Sequence, residues 1–270
     1  MTQRIETIAE IAGGYEAIVF DQWGVLHNGA SPYPGAVQCL QDLPRPVAVL
    51  SNSGKRAAPN AERIADMGFT RSFEVVMTSG EALWRDIDRG HIPQSTFHAI
   101  ERAPGDAEVW SDGLDISFEP MDRAEAVLLM GLPDGSALRD WSPVLARANA
   151  ANLPVYCSNP DRKSPRADGY VISPGAVAFA YEKMGGDVTY YGKPHRPIFE
   201  SLKDALGSER ILMVGDSLEH DISGAAQAGW DSVFVGGGLY ADAFADAPWQ
   251  DALEGLNPAV PPTYFIGEVQ

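Results

Sequence analysis

Short apolar runs alternate along the chain with stretches that have helical spacing. The first runs are rich in β-branched and aromatic residues and are bounded by glycine, proline or serine, which predicts buried strands at 18–21, 47–50 and 75–77. Helices are predicted between them, and Ser79 is the predicted N-cap of a later one. Strands that alternate with helices of this length are typical of βαβ units, so an α/β fold with a parallel sheet is predicted.

The middle of the chain has apolar runs of its own. Further strands are predicted at 127–130 and 155–157, with a helix at 142–151 between them. The last third repeats the opening pattern, with predicted strands at 188–191, 211–214 and 232–235. The central segment could therefore bury a small core separate from that of the two flanking segments.

Polar residues follow several of the predicted strands. They are Asp21, Ser51, Lys193 and the pair Asp216 and Asp221. In a parallel sheet with right-handed crossovers these strand ends lie at one edge, where the side chains can converge. Any one of them alone is equally well explained as a turn or helix-cap residue.

This set of groups suits phosphoryl transfer through a covalent aspartyl intermediate. A carboxylate attacks a dianionic phosphate poorly unless a cation such as Mg²⁺, with oxygen ligands, neutralises the repulsion. Asp21 and Asp216 would share that metal, while Lys193 and Ser51 would stabilise charge on the phosphoryl oxygens. Backbone N–H groups near Gly24 and Asn52 would complete the anion site.

The composition and charge of the chain argue against some classes of binding partner. The 270 residues are 45% hydrophobic and carry a formal net charge of −17, which argues against a nucleic-acid surface and against binding to anionic membrane. No apolar run is long enough to span a bilayer, and charges interrupt the N-terminal stretch where a signal peptide would need its apolar core. A cytoplasmic location is expected. Cys39 and Cys157 lack metal-ligand spacing and are interpreted as packing residues.

Four motifs together give the chain a family resemblance. They are FDQWGVL (20–26), LSNSG (50–54), GKP (192–194) and VGDSLEHD (214–221). In this order they resemble the haloacid dehalogenase superfamily. The long insert between the second and third motifs, SNPD at 158–161 and YGKPHRPIF at 191–199 are similar to the NagD-like class IIA phosphatases.

The resemblance implies a Rossmannoid core, formed by 1–79 and 187–270, with an inserted α/β cap domain at 80–186. It implies a Mg²⁺-dependent phosphohydrolase that acts on a small phosphorylated metabolite, with sugar phosphates as the first guess, and a homodimer formed through the cap.

It also implies roles for individual residues. Asp21 is the implied nucleophile, and Ser51 and Lys193 are the implied phosphoryl ligands. Asp216, Asp221 and the backbone carbonyl of Trp23 are the implied metal ligands, together with Asp21.

The first motif departs from the family pattern at Trp23. Phosphatases of the superfamily carry D-x-D-G there, and the second aspartate protonates the leaving alcohol and then activates water, whereas this chain has Asp21-Gln22-Trp23-Gly24. Loss of a general acid/base commonly lowers the rate about 10²- to 10⁴-fold.

Three interpretations of Trp23 remain open. In the first, the chain is a phosphatase whose substrate has a good leaving group, or whose proton donor is another residue. In the second, it binds a phosphorylated ligand without turnover. In the third, it cleaves carbon–halogen bonds. Dehalogenases of the superfamily carry an aromatic residue at this position, but they work without Mg²⁺ and lack the acidic fourth motif, so the retained Asp216 and Asp221 favour phosphate.

Weaker candidates for substrate contacts complete the set. His27 is the nearest histidine after the nucleophile and is a candidate for substrate contact or proton donation, or else a surface or capping residue. Asp134, Asn159 and Asp161 lie at predicted strand ends of the insert, where they line a substrate pocket or form Asx turns. The glycines at 236–238 are interpreted as a structural turn.

Overall fold

The fold was described from a computed structural model that covers residues 2–69, 73–166 and 169–269. The chain divides into two units. The first contains Met1–Ser51, Ala58–Met77 and Phe199–Gln270, and the second contains Asn52–Ala57 and Thr78–Ile198.

Strands and helices alternate along most of the chain. The strands are β1 (Gln3–Arg4), β2 (Ala17–Phe20), β3 (Val47–Ser51), β4 (Val75–Thr78), β5 (Thr96–Ile100), β6 (Ser117–Phe118), β7 (Ala126–Leu129), β8 (Val155–Cys157), β9 (Lys163–Arg166), β10 (Gly169–Ile172), β11 (Val188–Tyr190), β12 (Ile211–Gly215), β13 (Asp231–Val235) and β14 (Tyr264–Ile266). The helices are α1 (Ala9–Ala12), α2 (Ala36–Asp42), α3 (Ala57–Asp66), α4 (Ser79–Asp88), α5 (Asp106–Trp110), α6 (Ser142–Ala150), α7 (Pro174–Lys183), α8 (Arg196–Leu206), α9 (Ser223–Ala228), α10 (Ala241–Phe244) and α11 (Trp249–Gly255). Leu138–Trp141 forms a 3₁₀ turn and Leu218–Ile222 a π-helical turn.

The first unit is built on a seven-stranded sheet in the order β1-β14-β13-β12-β2-β3-β4. From β1 to β3 every neighbouring pair is parallel. All residues of β2 and β12 are buried, as expected for central strands of a parallel sheet that is covered on both faces. Phe20 pairs with Val214, so β2 and β12 end side by side. The predicted α/β core is confirmed.

The second unit has its own sheet and its own core. Its five strands run in the order β11-β8-β7-β5-β6, with parallel pairing throughout. A separate antiparallel hairpin joins β9 and β10. Within the core, the buried Tyr181 hydroxyl donates a hydrogen bond of 2.7 Å to the carbonyl oxygen of Leu153, so the phenol is satisfied away from water.

Two local features differ from the sequence-based expectations. Val188–Tyr190 pairs with Val155–Cys157 in the second sheet, whereas the predicted division at 187 assigned this strand to the core segments. Thr78, and not Ser79, is the N-cap of α4: its hydroxyl accepts a hydrogen bond of 2.9 Å from the backbone N–H of Glu81.

Both cysteines are buried. Burial raises the pKa of the Cys39 thiol to about 11 and that of Cys157 to about 12. Thiols of this kind stay protonated and unreactive near neutral pH. Among the helices that the structure describes, none combines the length and the apolar character needed to cross a lipid bilayer.

Candidate active site

Three carboxylates of the first unit meet at the carboxyl edge of its sheet. Asp21 directly follows β2, Asp216 directly follows β12, and Asp221 lies in the π-helical turn after β12. One carboxylate oxygen from each of the three lies within 4.8 Å of those of the other two. Asp216 and Asp221 are buried and Asp21 is half-buried. Like charges this close together are stabilised by a cation, and carboxylate oxygens are the ligands that hard divalent cations prefer.

Backbone groups from two loops surround the carboxylate of Asp216. The backbone N–H of Leu239 donates a hydrogen bond of 2.7 Å to its Oδ2. A side chain at Gly24 or at Gly238 would overlap the same carboxylate. The site therefore requires glycine at both positions, and Gly24 additionally has a φ of +80°.

Asp221 is held from its own loop. Its Oδ2 accepts a hydrogen bond of 3.0 Å from the backbone N–H of Ser217. A side chain at Gly215, the last residue of β12, would overlap the carboxylate. The turn after β12 thus orients Asp221 through its backbone, and the loop after β13 orients Asp216 in the same way. Both contacts fit the requirement that metal ligands be fixed before the ion binds.

We predict that Gly24→Ala weakens Mg²⁺ binding at least about tenfold, because the new methyl group displaces the Asp216 carboxylate. Gly135→Ala is the matched control: Gly135 has the same φ of +80°, with nothing near the position of the added atom. Both variants place alanine at a φ of +80°, so a difference between their Mg²⁺ affinities, measured by calorimetric titration, reports the contact of the added methyl group with Asp216. Equal affinities in the two variants would contradict this description of the site.

The turn after Asp21 is closed by its own backbone. The carbonyl oxygen of Gln22 accepts hydrogen bonds from the N–H groups of Leu26 (2.8 Å) and His27 (3.2 Å). Trp23 is 52% exposed. Its ring lies edge-on to the His27 ring, 6.0 Å between centroids, and a side chain at Gly29 would overlap it. Trp23 is therefore held in one place while much of its surface stays open.

His27 is buried and neutral, so it is neither a surface residue nor equipped to donate protons at neutral pH. Its Nδ1 accepts a hydrogen bond of 3.0 Å from the backbone N–H of Gly29, which places the ring proton on Nε2. Nε2 is buried without a hydrogen-bond partner among the described residues. Burial, and then the positive charge of Arg63, lowers the pKa of His27 to about 4.

This depressed pKa predicts a pH-dependent contribution to stability. Because the folded-state pKa is about 4 and the ordinary value is 6.5, the unfolded chain binds the extra proton between these pH values. The contribution of neutral His27 is complete above pH 6.5 and is lost as pH falls, up to about 3 kcal/mol. Urea denaturation between pH 7 and 4.5 should show a shallower pH dependence for His27→Gln than for the natural chain. Parallel curves would be contrary to this expectation.

Two tyrosines of the first unit lie in the field of the acidic cluster. Burial, followed by the charge of Asp216, raises the pKa of Tyr33. Burial, with the charges of Glu219 and Asp216, raises the pKa of Tyr240. Both phenols therefore stay protonated near neutral pH and can act only as neutral groups.

A second group of predicted residues meets within the second unit. The side chain of Asn52 accepts from the backbone N–H of Lys193 (2.7 Å) and donates to the backbone carbonyl of Lys193 (3.1 Å) and to Oδ1 of Asp161 (2.8 Å). Lys193 is buried. The Oδ1 of Asn159 accepts a hydrogen bond of 2.9 Å from the backbone N–H of Asp161, which forms an Asx turn. The side-chain amide of Asn52 is thus used to hold the backbone of Lys193.

Two further predicted residues, Ser51 and Asp134, lie in different units. Ser51 ends β3 in the first unit and is half-buried. Asp134 is exposed in the second unit and forms an ion pair of 2.9 Å with Arg102. Exposed pairs of this kind contribute little to stability.

Sequence reasoning missed the roles of Gly238 and Leu239. The glycines at 236–238 were expected to form only a turn, whereas Gly238 leaves room for Asp216 and the next N–H donates to it. A weak signal was present, since this loop follows β13, the strand next to β12. Carboxyl ends of neighbouring parallel strands share one edge.

Comparison with known families gives two matches within one superfamily. A family model described as haloacid dehalogenase-like hydrolase matches residues 18–108. A second, described as HAD-hydrolase-like, matches residues 190–267. Together they include the three carboxylates, Ser51, Asn52 and Lys193.

The chain is similar to proteins that include a named phosphatase and a named hydrolase. Chronophin from Rattus norvegicus is 28% identical over 243 residues, covering 84% of this chain and 78% of that protein. The D-glycerol 3-phosphate phosphatase of Mycobacterium tuberculosis is 30% identical over 230 residues, covering 83% of this chain and 64% of that protein. The crystal structure of a haloacid dehalogenase-like hydrolase from Brucella suis 1330 has a TM-score of 0.79 and 26% identity, covering 98% of this chain and all of that one.

Proposed function

We propose that this chain is a Mg²⁺-dependent class IIA phosphohydrolase, a proposal supported by the two haloacid dehalogenase-like family models that match residues 18–108 and 190–267. Its substrate would be a small phosphorylated metabolite. A sugar phosphate, the first expectation, would be turned over slowly without a proton donor, because its leaving group is an alkoxide. The relative named above as a D-glycerol 3-phosphate phosphatase has a small phosphorylated compound as its named substrate, which supports this class of substrate.

The observation that carries the proposal is the meeting of Asp21, Asp216 and Asp221 within 4.8 Å. Three oxygen donors with glycine and backbone N–H groups packed around them fit a hard divalent cation. We propose that these side chains and the backbone carbonyl of Trp23 hold Mg²⁺. When bound, the ion would supply neutralisation of the charge between carboxylate and phosphate.

In the proposed reaction, a carboxylate oxygen of Asp21 attacks phosphorus and the bond from phosphorus to the leaving oxygen breaks. The leaving group departs with the electron pair. Water then attacks the aspartyl phosphate at phosphorus, which releases inorganic phosphate and restores the Asp21 carboxylate. Trp23 has no group that can protonate the leaving oxygen, so substrates whose leaving group is stable as an anion are favoured.

The phosphoryl group would be held by Ser51, by the Lys193 ammonium and by backbone N–H groups of Trp23, Gly24 and Asn52. The motifs alone support this part of the proposal. A lysine point charge and a hydroxyl donor are suited to the oxygens of a transferring phosphoryl group. His27, Asp134, Asn159 and Asp161 remain proposed contributors to substrate specificity, although the contacts of Asn159 and Asp161 also explain them as turn residues.

A panel of phosphate monoesters and acyl phosphates, assayed with Mg²⁺ and with EDTA, tests the proposed function. We expect slow turnover that requires Mg²⁺ and is fastest with acetyl phosphate and other activated substrates. If no substrate is turned over but a phosphate mimic binds tightly, the chain is a phosphate-ligand-binding protein and not an enzyme. The presence of Trp23 favours this second candidate function, because tryptophan stands where the family's proton-donating aspartate would be.

The remaining assignments rest on the sequence. We propose that 1–79 and 187–270, apart from the strand Val188–Tyr190, act as the catalytic core and that 80–186 acts as the cap that selects substrate. A cytoplasmic location and a homodimer formed through the cap stay predictions, the latter testable by light scattering.

A further inference from the structure

Two exposed apolar side chains stand out in the first unit. Trp23 is 52% exposed and Leu239 is 65% exposed. The other large apolar side chains that are exposed among the described residues belong to the second unit: Val109, Leu138, Tyr170, Val171 and Met184. Among its described residues, the first unit thus exposes large apolar side chains at these two positions.

Both positions flank the same carboxylate. The backbone N–H of Leu239 donates to Oδ2 of Asp216 at 2.7 Å. Trp23 directly precedes Gly24, whose α-carbon lies so close to Asp216 that an added methyl group would overlap Oδ2. The two side chains therefore arise next to two different loops, one after β2 and one after β13, that both approach Oδ2 of Asp216.

The Trp23 ring is already held in place. Gly29 packs against its six-membered ring, and the buried His27 lies edge-on to it at 6.0 Å between centroids. A ring that is fixed before a ligand arrives loses little conformational freedom on binding. An exposed, fixed indole beside a polar site suits contact with another flat ring, since aromatic pairs add about 0.5–1.5 kcal/mol beyond the area they bury.

We propose that Trp23 and Leu239 form an apolar platform that selects phosphate esters with a planar aromatic leaving group. The inference rests on the proposed function and names its substrate class. It also explains how the site works without a proton donor at position 23, because an aryl oxide departs unprotonated more readily than an alkoxide. By binding aryl esters, Trp23 would select substrates whose leaving group does not need an acid catalyst.

Selectivity between two activated substrates tests the platform. p-Nitrophenyl phosphate and acetyl phosphate both have good leaving groups, and the first alone carries a ring. We expect the ratio of their kcat/KM values to fall about tenfold in Trp23→Ala and about threefold in Leu239→Ala, mainly through the KM of the aryl ester. Trp23→Phe should restore most of the ratio. Leu138→Ala, which removes an exposed leucine of the second unit, is the control and should leave the ratio unchanged.

A binding measurement separates this inference from the proposed function. Phenylphosphonate and methylphosphonate are not hydrolysed, and their affinities in the presence of Mg²⁺ can be compared by calorimetry. A preference for the phenyl compound that is lost in Trp23→Ala supports the platform, even if no ester is turned over and the proposed function fails. Turnover of both substrates with equal affinity for the two phosphonates, or a kcat/KM ratio unchanged in Trp23→Ala, would overturn it.

Discussion

Asp21→Asn is expected to reduce Mg²⁺-dependent hydrolysis of acetyl phosphate by roughly 10³-fold or more, since an amide cannot act as the attacking nucleophile. The variant should fold normally, because Asp21 lies at the end of β2 and not within the buried strand. The measurement is kcat at saturating Mg²⁺.

Asp88→Asn is a suitable control for this change. It makes the same chemical substitution at an exposed residue that ends α4 in the second unit. Its kcat should match that of the natural chain. Retention of more than about a tenth of the activity in a folded Asp21→Asn protein would rule out Asp21 as the nucleophile.

The second large effect is expected from Asp216→Asn. Loss of this carboxylate should weaken Mg²⁺ binding at least about 10- to 100-fold, the range seen when even outer partners of a metal site are removed. The asparagine oxygen can still accept the hydrogen bond from the backbone N–H of Leu239, so the loop should keep its position. Calorimetric titration with Mg²⁺ gives the affinity.

Stability without metal provides a check on the same variant. Asp21, Asp216 and Asp221 repel one another when no cation is bound, so removing one charge should leave the melting temperature in EDTA equal or higher. Mg²⁺ should then raise the melting temperature of the natural chain but not that of Asp216→Asn. Unchanged Mg²⁺ affinity in the variant would refute the proposed metal site.

Local pattern was sufficient for the strands that carry the acidic site. The apolar run predicted at 18–21 appears as Ala17–Phe20, and the run predicted at 211–214 appears as Ile211–Gly215. Buried parallel strands are recognisable in a sequence as continuous runs rich in β-branched residues. A residue that directly follows such a run lies at the carboxyl edge of the sheet. The meeting of Asp21 with Asp216 follows from that rule.

Other elements had no such local signal. The strand β9 contains Pro165 and the helix α7 begins with Pro174, so neither shows a simple period. The hydrogen bonds between Asn52 and Lys193 join residues that are far apart in the chain and lie in loops. Contacts of this kind depend on how the second unit folds, and no spacing in the sequence encodes them.

The neutral state of His27 could not be predicted either. As a histidine in a glycine-containing loop it resembles an exposed residue, but the turn buries it and uses its Nδ1 to hold Gly29. Burial then depresses its pKa to about 4. The first motif lacks a proton donor, and His27 does not replace it. This strengthens the expectation that the substrate has an activated leaving group.

Covalent capture of phosphate on Asp21 tests the central claim most directly. Acid quenching shortly after the chain is mixed with Mg²⁺ and acetyl phosphate, followed by peptide mass spectrometry, should find a phosphoryl group on the peptide that contains Asp21 and none in Asp21→Asn. The intermediate should accumulate, since Trp23 cannot act as the base that activates water. Turnover of acetyl phosphate at an unmodified Asp21, under conditions in which a phosphorylated control peptide survives the quench, would contradict the account.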